Sequence, residues 1–422
     1  MREASLLHFM QFNQIPGNET IKEKLKDLVR KNRLSHALLF LGREGSGALP
    51  MAVSFAQYVL CERVNGRQTN KKESSLFGNE SQEEDISEFF SDSCGECNSC
   101  KKVNQLIHPD LHFSYPVLKK DARHDKVLST DFISEWREFI HQFPYNNVSD
   151  WLDFLKEHPG IKIENPVNKQ GNISVFECDD ISHKLSLKSF ESSYKILIMW
   201  MPEYLGKEGN KLLKLIEEPP KNTLFILVAE DEHSILPTIL SRTQVIKIPS
   251  FTDELVADIL IKNYQVDSEK AVQLAAIAAG NFREALQLLK NSEHDFQSQV
   301  REWLNIIMKN NVGLLLKWID EINKLGREKQ KGFLKYFVHL LEQAIRTSYI
   351  TENRAPDISD SHHDFSSRIN KFCTFEAKIA MVEELEKAIY FIERNANAKM
   401  LFHSLSIRFF HVIKDNSVIL VN

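Results

Sequence analysis

Short apolar runs alternate with helical patterns along the first part of the chain. Four runs have the length of buried strands: His36–Leu41, Tyr194–Trp200, Thr223–Ala229 and Gln244–Ile248. Apolar residues at helical spacing predict helices at Thr20–Asn32, Ala48–Cys61, Asn210–Glu218 and Ile235–Arg242. Strands that alternate with helices in this way are typical of an α/β domain with a parallel sheet.

After Pro249 the pattern is helical to the end of the chain, with little strand signal. We therefore expect an α/β core over residues 1–250, a small helical bundle over 251–292 and a larger one over 295–422. Two segments interrupt the core pattern. Residues 62–93 are polar and acidic, which is typical of a solvated insertion, and residues 118–172 carry mixed helical patterns with proline and asparagine breaks.

The amino-acid composition and net charge of the chain exclude several classes of protein. The chain has 422 residues, 42% hydrophobic and 26% charged, as in globular proteins of two to four domains. Its net charge of −5 argues against a protein whose whole surface binds DNA, although a local basic groove stays possible. No apolar run is long enough to span a bilayer and the start lacks the pattern of a secretion signal, so we expect a cytoplasmic protein without membrane contact.

Cys94, Cys97 and Cys100 form two overlapping CxxC spacings, and such a turn can direct three sulfurs at one ion. The obvious fourth ligand is Cys61 at the end of the preceding predicted helix, with His108 as the alternative. A site with four protein ligands is closed, so we expect a structural zinc. Two isolated thiols are expected to be ordinary buried residues: Cys178 and Cys373.

The glycine-rich loop after the first strand has the spacing of a nucleotide-binding loop, with Gly42, Gly45 and Gly47. The positions that should hold Lys and then Ser or Thr hold Ala48 and Leu49. The loop therefore lacks both the lysine cation that would contact nucleotide phosphates and the hydroxyl that would bind magnesium. We therefore favour a structural turn, whose amides could still bind an anion weakly.

The strand that ends at Trp200 indicates the same loss. In ATPases with a nucleotide-binding glycine loop, the corresponding strand ends in an Asp that binds magnesium. Here Trp200 ends the strand and Met201 follows it, and neither side chain can bind magnesium. Glu203 is interpreted as a surface charge. We expect this chain neither to bind ATP well nor to hydrolyse it.

Arg242 ends the short predicted helix after Ser241. An arginine there could reach a phosphate on a neighbouring subunit and stabilise the charge of phosphoryl transfer. The alternative is a helix cap or an ion pair with a carboxylate such as Glu230.

Together these residues resemble the clamp-loader subunits of bacterial DNA polymerase III, a family of the AAA+ class, and most closely the delta-prime type. The resemblance covers about residues 12–289 and is carried by segments in this order: His36–Gly42, the cysteine cluster, His108–Asp110, Leu212–Pro220, Thr223–Leu227, Leu236–Thr243 and Gly280–Leu286. Asn395–Met400 matches the C-terminal part.

The resemblance implies an AAA+ core with a zinc module at 61–100, a helical lid and a C-terminal collar that joins subunits. It implies that Arg242, next to Ser241, is an arginine finger acting in trans, and that Arg283 corresponds to a second sensor. The implied partners are the gamma/tau and delta subunits and, through the complex, the sliding clamp and primed DNA. Thr243 stands where the family has Cys.

The sequence disfavours two other functions. An active ATPase subunit of the gamma/tau type is disfavoured by Ala48, Leu49, Trp200 and Met201. A sequence-specific zinc protein that binds DNA is disfavoured because the cysteine cluster lacks interleaved basic and aromatic residues. A polymerase label would describe the holoenzyme and not chemistry in this chain.

Overall fold

The structure is a computed structural model that describes residues 10–65, 91–119, 126–161, 171–290, 296–350, 368–394 and 396–414. Most of the first predicted insertion (66–90), parts of the second (120–125 and 162–170) and Asn395 lie outside the described residues. The chain divides into two compact units, Met1–Val272 with Gly280–Arg283 and Gln273–Ala279 with Glu284–Asn422. The three-part division expected from the sequence stays a prediction.

The first unit is built on a five-stranded parallel sheet. Its strands are β1 (Ala37–Leu41), β2 (Leu111–Ser114), β3 (Lys195–Trp200), β4 (Thr223–Ala229) and β5 (Gln244–Lys247). The spatial order is β2-β3-β4-β1-β5, and every pairing is parallel. In register, Leu38 of β1 lies opposite Ile226 of β4 and Gln244 of β5.

Helices cover both faces of the sheet, as a parallel sheet requires. The helices of this part of the chain are α1 (Glu19–Arg30), α2 (Ala48–Leu60), α3 (Asn98–Asn104), α4 (Ile133–Gln142), α5 (Val148–Glu157), α6 (Val175–Ser186), α7 (Asn210–Glu217), α8 (Pro237–Leu240) and, after the last strand, α9 (Asp253–Tyr264). Because side chains alternate along a strand, Leu38 and Phe40 pack into one core while Ala37 and Leu39 pack into the other. Helix α2 is buried along its whole length, which fits a helix that is apolar on every side.

The described residues of the second predicted insertion, 126–161 above all, form a folded part of the first core. Trp136 of α4 stacks on Tyr115 with ring centroids 3.9 Å apart, and Trp151 of α5 donates from Nε1 to the Pro116 carbonyl over 2.8 Å. Both tryptophans are fully buried. These contacts fix α4 and α5 beside β2.

Helices α10 (Ser268–Ala278) and α11 (Phe282–Lys290) follow α9. The second unit then continues with α12 (Phe296–Met308), α13 (Val312–Lys324), α14 (Arg327–Ile350), α15 (Phe375–Glu393) and α16 (Ala398–Lys414). Its core centres on Trp303, which stacks on Trp318 at 4.9 Å and donates from Nε1 to Ser406 Oγ over 2.9 Å.

The predicted fold class, a parallel α/β part followed by helices, is confirmed. The predicted strands at Thr223–Ala229 and Tyr194–Trp200 match β4 and β3 within one residue. Strand β2 was not predicted, because its four residues include His112 and Ser114 and give no apolar run. No helix among the described residues is long and apolar enough to cross a bilayer.

Candidate functional site

The loops that follow β1, β3 and β4 meet at the carboxyl edge of the sheet. Ligands of open parallel sheets bind at this edge, where the strand order reverses. Residues from all three loops line one crevice, among them Gly45, Met201 and Glu230. The structure thus brings the glycine loop and the end of β3 together, as the sequence suggested.

Both glycines before α2 have left-handed backbone conformations, with φ of +72° at Gly45 and +82° at Gly47. Neighbours also close in on them. A Cβ at Gly45 would lie 2.0 Å from Asn281 Oδ1, and one at Gly47 would lie 3.1 Å from the Tyr145 ring. The loop needs glycine both for its turn and for the side chains that press against it.

The positions that would hold nucleotide phosphates and magnesium carry core side chains. Ala48, Leu49 and Trp200 are all buried, and the Trp200 ring centroid lies 5.2 Å from that of Trp136. The space that remains in the crevice is a cavity of about 30 Å³. A ligand of nucleotide size needs roughly 300 Å³ or more, so this crevice is filled.

Arg283 lies at the mouth of the glycine loop and is almost completely buried, with 1% of its side chain exposed. Its Nη1 donates to Glu44 Oε1 over 3.0 Å, and its Nε and Nη2 donate to the two carboxylate oxygens of Asp150 over 2.5 and 2.6 Å. Asn147 and Asn281 also donate to Glu44, over 2.8 and 3.1 Å. The guanidinium is therefore held by carboxylates of its own chain.

Two more acidic residues, Glu203 and Glu230, lie beside Arg283 and its partners. The Glu203 carboxylate accepts hydrogen bonds from the amides of Glu230 and Asp231, over 2.7 and 3.1 Å. The interpretation of Glu203 as a surface charge was wrong, because burial raises its pKa and the side chain ties the loop after β3 to the loop after β4. Burial also raises the pKa of Glu230 to about 8, with added repulsion from Glu44 and Glu203.

Arg242 lies after α8, with 35% of its side chain exposed. Its guanidinium pairs with Glu217 at the end of α7, and Nη1 donates to the Thr238 carbonyl over 2.8 Å and to Ser241 Oγ over 3.2 Å. A carboxylate partner and a helix-capping contact are thus both present. The partner is Glu217 and not Glu230.

The four cysteines expected to form a metal site lie together: the sulfurs of Cys61, Cys94, Cys97 and Cys100 are all within 4.8 Å of one another. Tetrahedral zinc with Zn–S bonds of about 2.3 Å would place its sulfurs roughly 3.8 Å apart. The 3.9 Å between Cys94 and Cys100 fits that geometry. The hydrogen bond between Cys100 and Cys61 lowers the pKa of Cys61 and raises the pKa of Cys100. The cluster could therefore hold a zinc ion.

Local structure brings Cys61 to the other three. It directly follows α2 as its C-cap, and hydrogen bonds join the chain that returns from residue 91 to α1 and α2. Lys26 donates to the Ser91 carbonyl over 2.7 Å, and Gln57 donates to Ser93 Oγ over 3.0 Å. Gly95, with φ of +71°, then makes the turn between Cys94 and Cys97.

His108 lies outside the cysteine cluster. Its Nδ1 accepts from the Asp110 amide over 3.1 Å, and its Nε2 faces Glu191 at 3.2 Å. Burial lowers the pKa of this imidazole. Asp110 in turn accepts from the amides of residues 190–192, so the His108–Asp110 motif fixes that loop. The other two cysteines, Cys178 and Cys373, are buried in the cores as expected.

The sequence matches the family model of DNA polymerase III, delta subunit, over residues 17–89 and 154–252. It is 24% identical over 273 residues to the DNA polymerase III subunit delta' of Bacillus subtilis, covering 65% of this chain and 59% of the relative. It is 25% identical over 309 residues to the subunit tau/gamma of Haemophilus influenzae, covering 72% of this chain and 33% of the relative.

The family match and these relatives support a clamp-loader subunit of the AAA+ family. The chain spans 59% and 33% of the lengths of these two relatives, whose identities to it are nearly equal. A solved structure of a DNA polymerase III gamma subunit-related protein from Thermotoga maritima is 15% identical, covers 92% of this chain and 98% of its own, and has a TM-score of 0.38. That score is too low to support an argument.

The sequence reasoning missed several residues of the site in this clamp-loader subunit. Glu44 was not singled out in the glycine loop, and Tyr145 and Asp150 fell in an insertion without an assigned function. The spacing Asn147-x-x-Asp150 is a helix-capping pattern and could have predicted the start of α5. No local signal could have predicted that Asp150 meets Arg283, since 133 residues separate them.

The raised pKa of Glu230 predicts a pH-dependent stability. The native carboxyl titrates near pH 8 and the unfolded one near pH 4.5, so its protonated form favours folding, and that contribution is lost as the pH rises through 8. The groups facing it are Glu44, Glu203, Asp150 and Arg283. We expect Glu230→Gln to unfold at the same temperature as the wild type at pH 4, and roughly 5 °C above it at pH 9.

Thermal unfolding of both proteins across this pH range measures the difference. The exposed Glu218 offers the control, since Glu218→Gln should follow the wild-type profile throughout. Parallel profiles for Glu230→Gln and the wild type would contradict the burial of a protonated carboxyl.

Proposed function

We propose that this chain is a non-catalytic clamp-loader subunit of the delta-prime type. It assembles with ATPase subunits of the gamma/tau type and with delta, and the complex loads the sliding clamp on primed DNA. The observation that carries the proposal is the filled crevice: Ala48, Leu49 and Trp200 occupy the places of the phosphate-binding and magnesium-binding groups. An ATPase subunit of the gamma/tau type would need those groups, and contact with DNA would be made within the complex.

Mg·ATP binding tests the non-catalytic role directly. We expect the purified chain to bind Mg·ATP at least 100-fold more weakly, on the order of 2.7 kcal/mol, than a working ATPase subunit measured beside it. The double variant Ala48→Lys/Leu49→Thr should still show no turnover, because Trp200 keeps the magnesium position closed. Isothermal titration that gives micromolar affinity for the wild-type chain would refute the proposal.

The proposed contribution of this subunit to ATP hydrolysis is Arg242, acting as an arginine finger on a neighbour's nucleotide. The guanidinium is partly exposed and lies beside Ser241 at the end of α8. Its ion pair with Glu217 is exposed on both sides, and such pairs contribute about 0–1 kcal/mol. A transferring phosphoryl group can therefore displace Glu217 at little cost.

Replacing Arg242 should affect only the assembled complex. Fingers of this type contribute on the order of 10³-fold in phosphoryl transfer, diluted here because other subunits would supply their own. We expect Arg242→Ala to lower clamp-stimulated and DNA-stimulated ATP hydrolysis and clamp loading, while assembly and thermal stability stay unchanged. Arg242→Lys should restore little, since a lysine lacks the planar fork.

Arg33 is an exposed arginine before β1, outside the segment 236–243, and Arg33→Ala is the matched control. Normal loading by the Arg242→Ala complex, together with a lower unfolding temperature of the isolated variant, would assign Arg242 to capping and ion pairing alone.

We further propose that Cys61, Cys94, Cys97 and Cys100 hold one structural zinc. The four sulfurs form a closed set, so no coordination position is left for a substrate. Metal analysis of protein prepared without chelators should give about one zinc per chain, and Cys61→Ser should lower its affinity at least 10-fold.

Two variants serve as controls for the zinc assignment. His108→Ala and Cys373→Ser should both retain the metal, because their side chains lie outside the cluster. Zinc loss from His108→Ala with retention in Cys61→Ser would transfer the fourth ligand to His108.

A further inference from the structure

The crevice at the carboxyl edge of the sheet is filled by part of the second insertion. Pro144, Tyr145 and Asn146 line the cavity that remains there. Tyr145 is 4% exposed, and its ring meets the Phe282 ring edge-on at a centroid distance of 5.0 Å. The turn between α4 and α5 thus enters the space between the glycine loop and residues 281–283.

The polar contacts of this segment form a closed ring of side chains. Asp150 accepts two hydrogen bonds from Arg283, Arg283 donates to Glu44, and Glu44 accepts from Asn147. Asn147 and Asp150 are in turn joined as the capping box of α5. The two carboxylates of the ring, Glu44 and Asp150, each accept hydrogen bonds from a residue that is distant in the sequence.

Aromatic side chains pack the insertion against the end of β3. The ring centroid of Trp136 lies 5.2 Å from that of Trp200, and Phe139 lies 6.4 Å from the same ring. Trp151, one residue after Asp150, is fully buried. The residue that occupies the magnesium position is therefore also a residue on which the insertion packs.

We propose that residues 144–150 are an internal occupant of the crevice, in which the Asp150 carboxylate takes the place of a phosphate group opposite Arg283. A carboxylate and a phosphate both present two oxygens to the planar fork of a guanidinium, so one can replace the other there. Residues 281–283 are then held at the sheet edge without nucleotide. This inference goes beyond the proposed role in clamp loading, and its test needs only the isolated full-length chain.

Anion rescue of an Asp150 variant tests the proposal. Thermal unfolding is measured for the wild type and Asp150→Ala, with and without sodium pyrophosphate, at an ionic strength matched with sodium chloride. We expect Asp150→Ala to unfold roughly 5 °C or more below the wild type, because it removes one partner of a buried ion pair. Pyrophosphate should recover at least half of that loss and leave the wild type unchanged.

Two further variants make the result specific. Asp153 is on the same helix, its side chain is 59% exposed and pairs with Lys156, and Asp153→Ala should behave as the wild type does. The double variant Asp150→Ala/Arg283→Met should lose the response to pyrophosphate, since the fork that binds the anion is gone.

An unchanged unfolding temperature for Asp150→Ala, or an equal response of the wild type and the variant to pyrophosphate, would overturn the proposal. Should Asp150→Ala fail to fold, Asp150→Asn replaces it, because asparagine keeps the size of the side chain and one acceptor oxygen. A folded Asp150→Asn protein that does not respond to pyrophosphate would equally overturn it.

Discussion

A guanidinium stays protonated under all conditions in which proteins fold, so a buried arginine requires carboxylates around it. Arg283 is 1% exposed, and Glu44 and Asp150 supply that charge. They come from positions 239 and 133 residues away along the chain. One electrostatic requirement therefore fixes the conformation of the glycine loop, the start of α5 and residues 281–283 relative to one another. Burial raises the pKa of the nearby Glu230 to about 8, and repulsion from Glu44 and Glu203 adds to the shift.

Trp200, at the end of β3, packs into the apolar core of the first unit. An Asp at the end of β3 would face water and a metal ion, whereas the indole needs apolar neighbours. Trp136 and Phe139 supply them from α4. An Asp at this position would place a charge among aromatic rings and would disrupt the packing of the insertion on β3.

The sequence predicted the elements that carry strong local patterns and missed the contacts between distant ones. Strands β1, β3 and β4 are buried on both faces and form unbroken apolar runs, so their positions followed from hydrophobicity alone. The same holds for the cysteines, whose spacing is itself the signal. Strand β2 was missed because four mixed residues carry no pattern, and Glu203 was misjudged because burial by neighbouring loops leaves no trace in the local sequence. The pairing of Arg283 with Asp150 depends on tertiary structure and could not be derived from spacing.

Helix α2 is flanked by Gly47 and Cys61, so one element joins the glycine loop to the cysteine cluster. Its 13 residues span about 20 Å, and all of them are buried. A helix enclosed on every side can neither rotate nor slide without disturbing the sheet beneath it. The cysteine cluster thus lies at one end of a buried helix whose other end carries the turn at Gly45 and Gly47. A displacement of the sulfurs would therefore be transmitted along α2 to the crevice about 20 Å away.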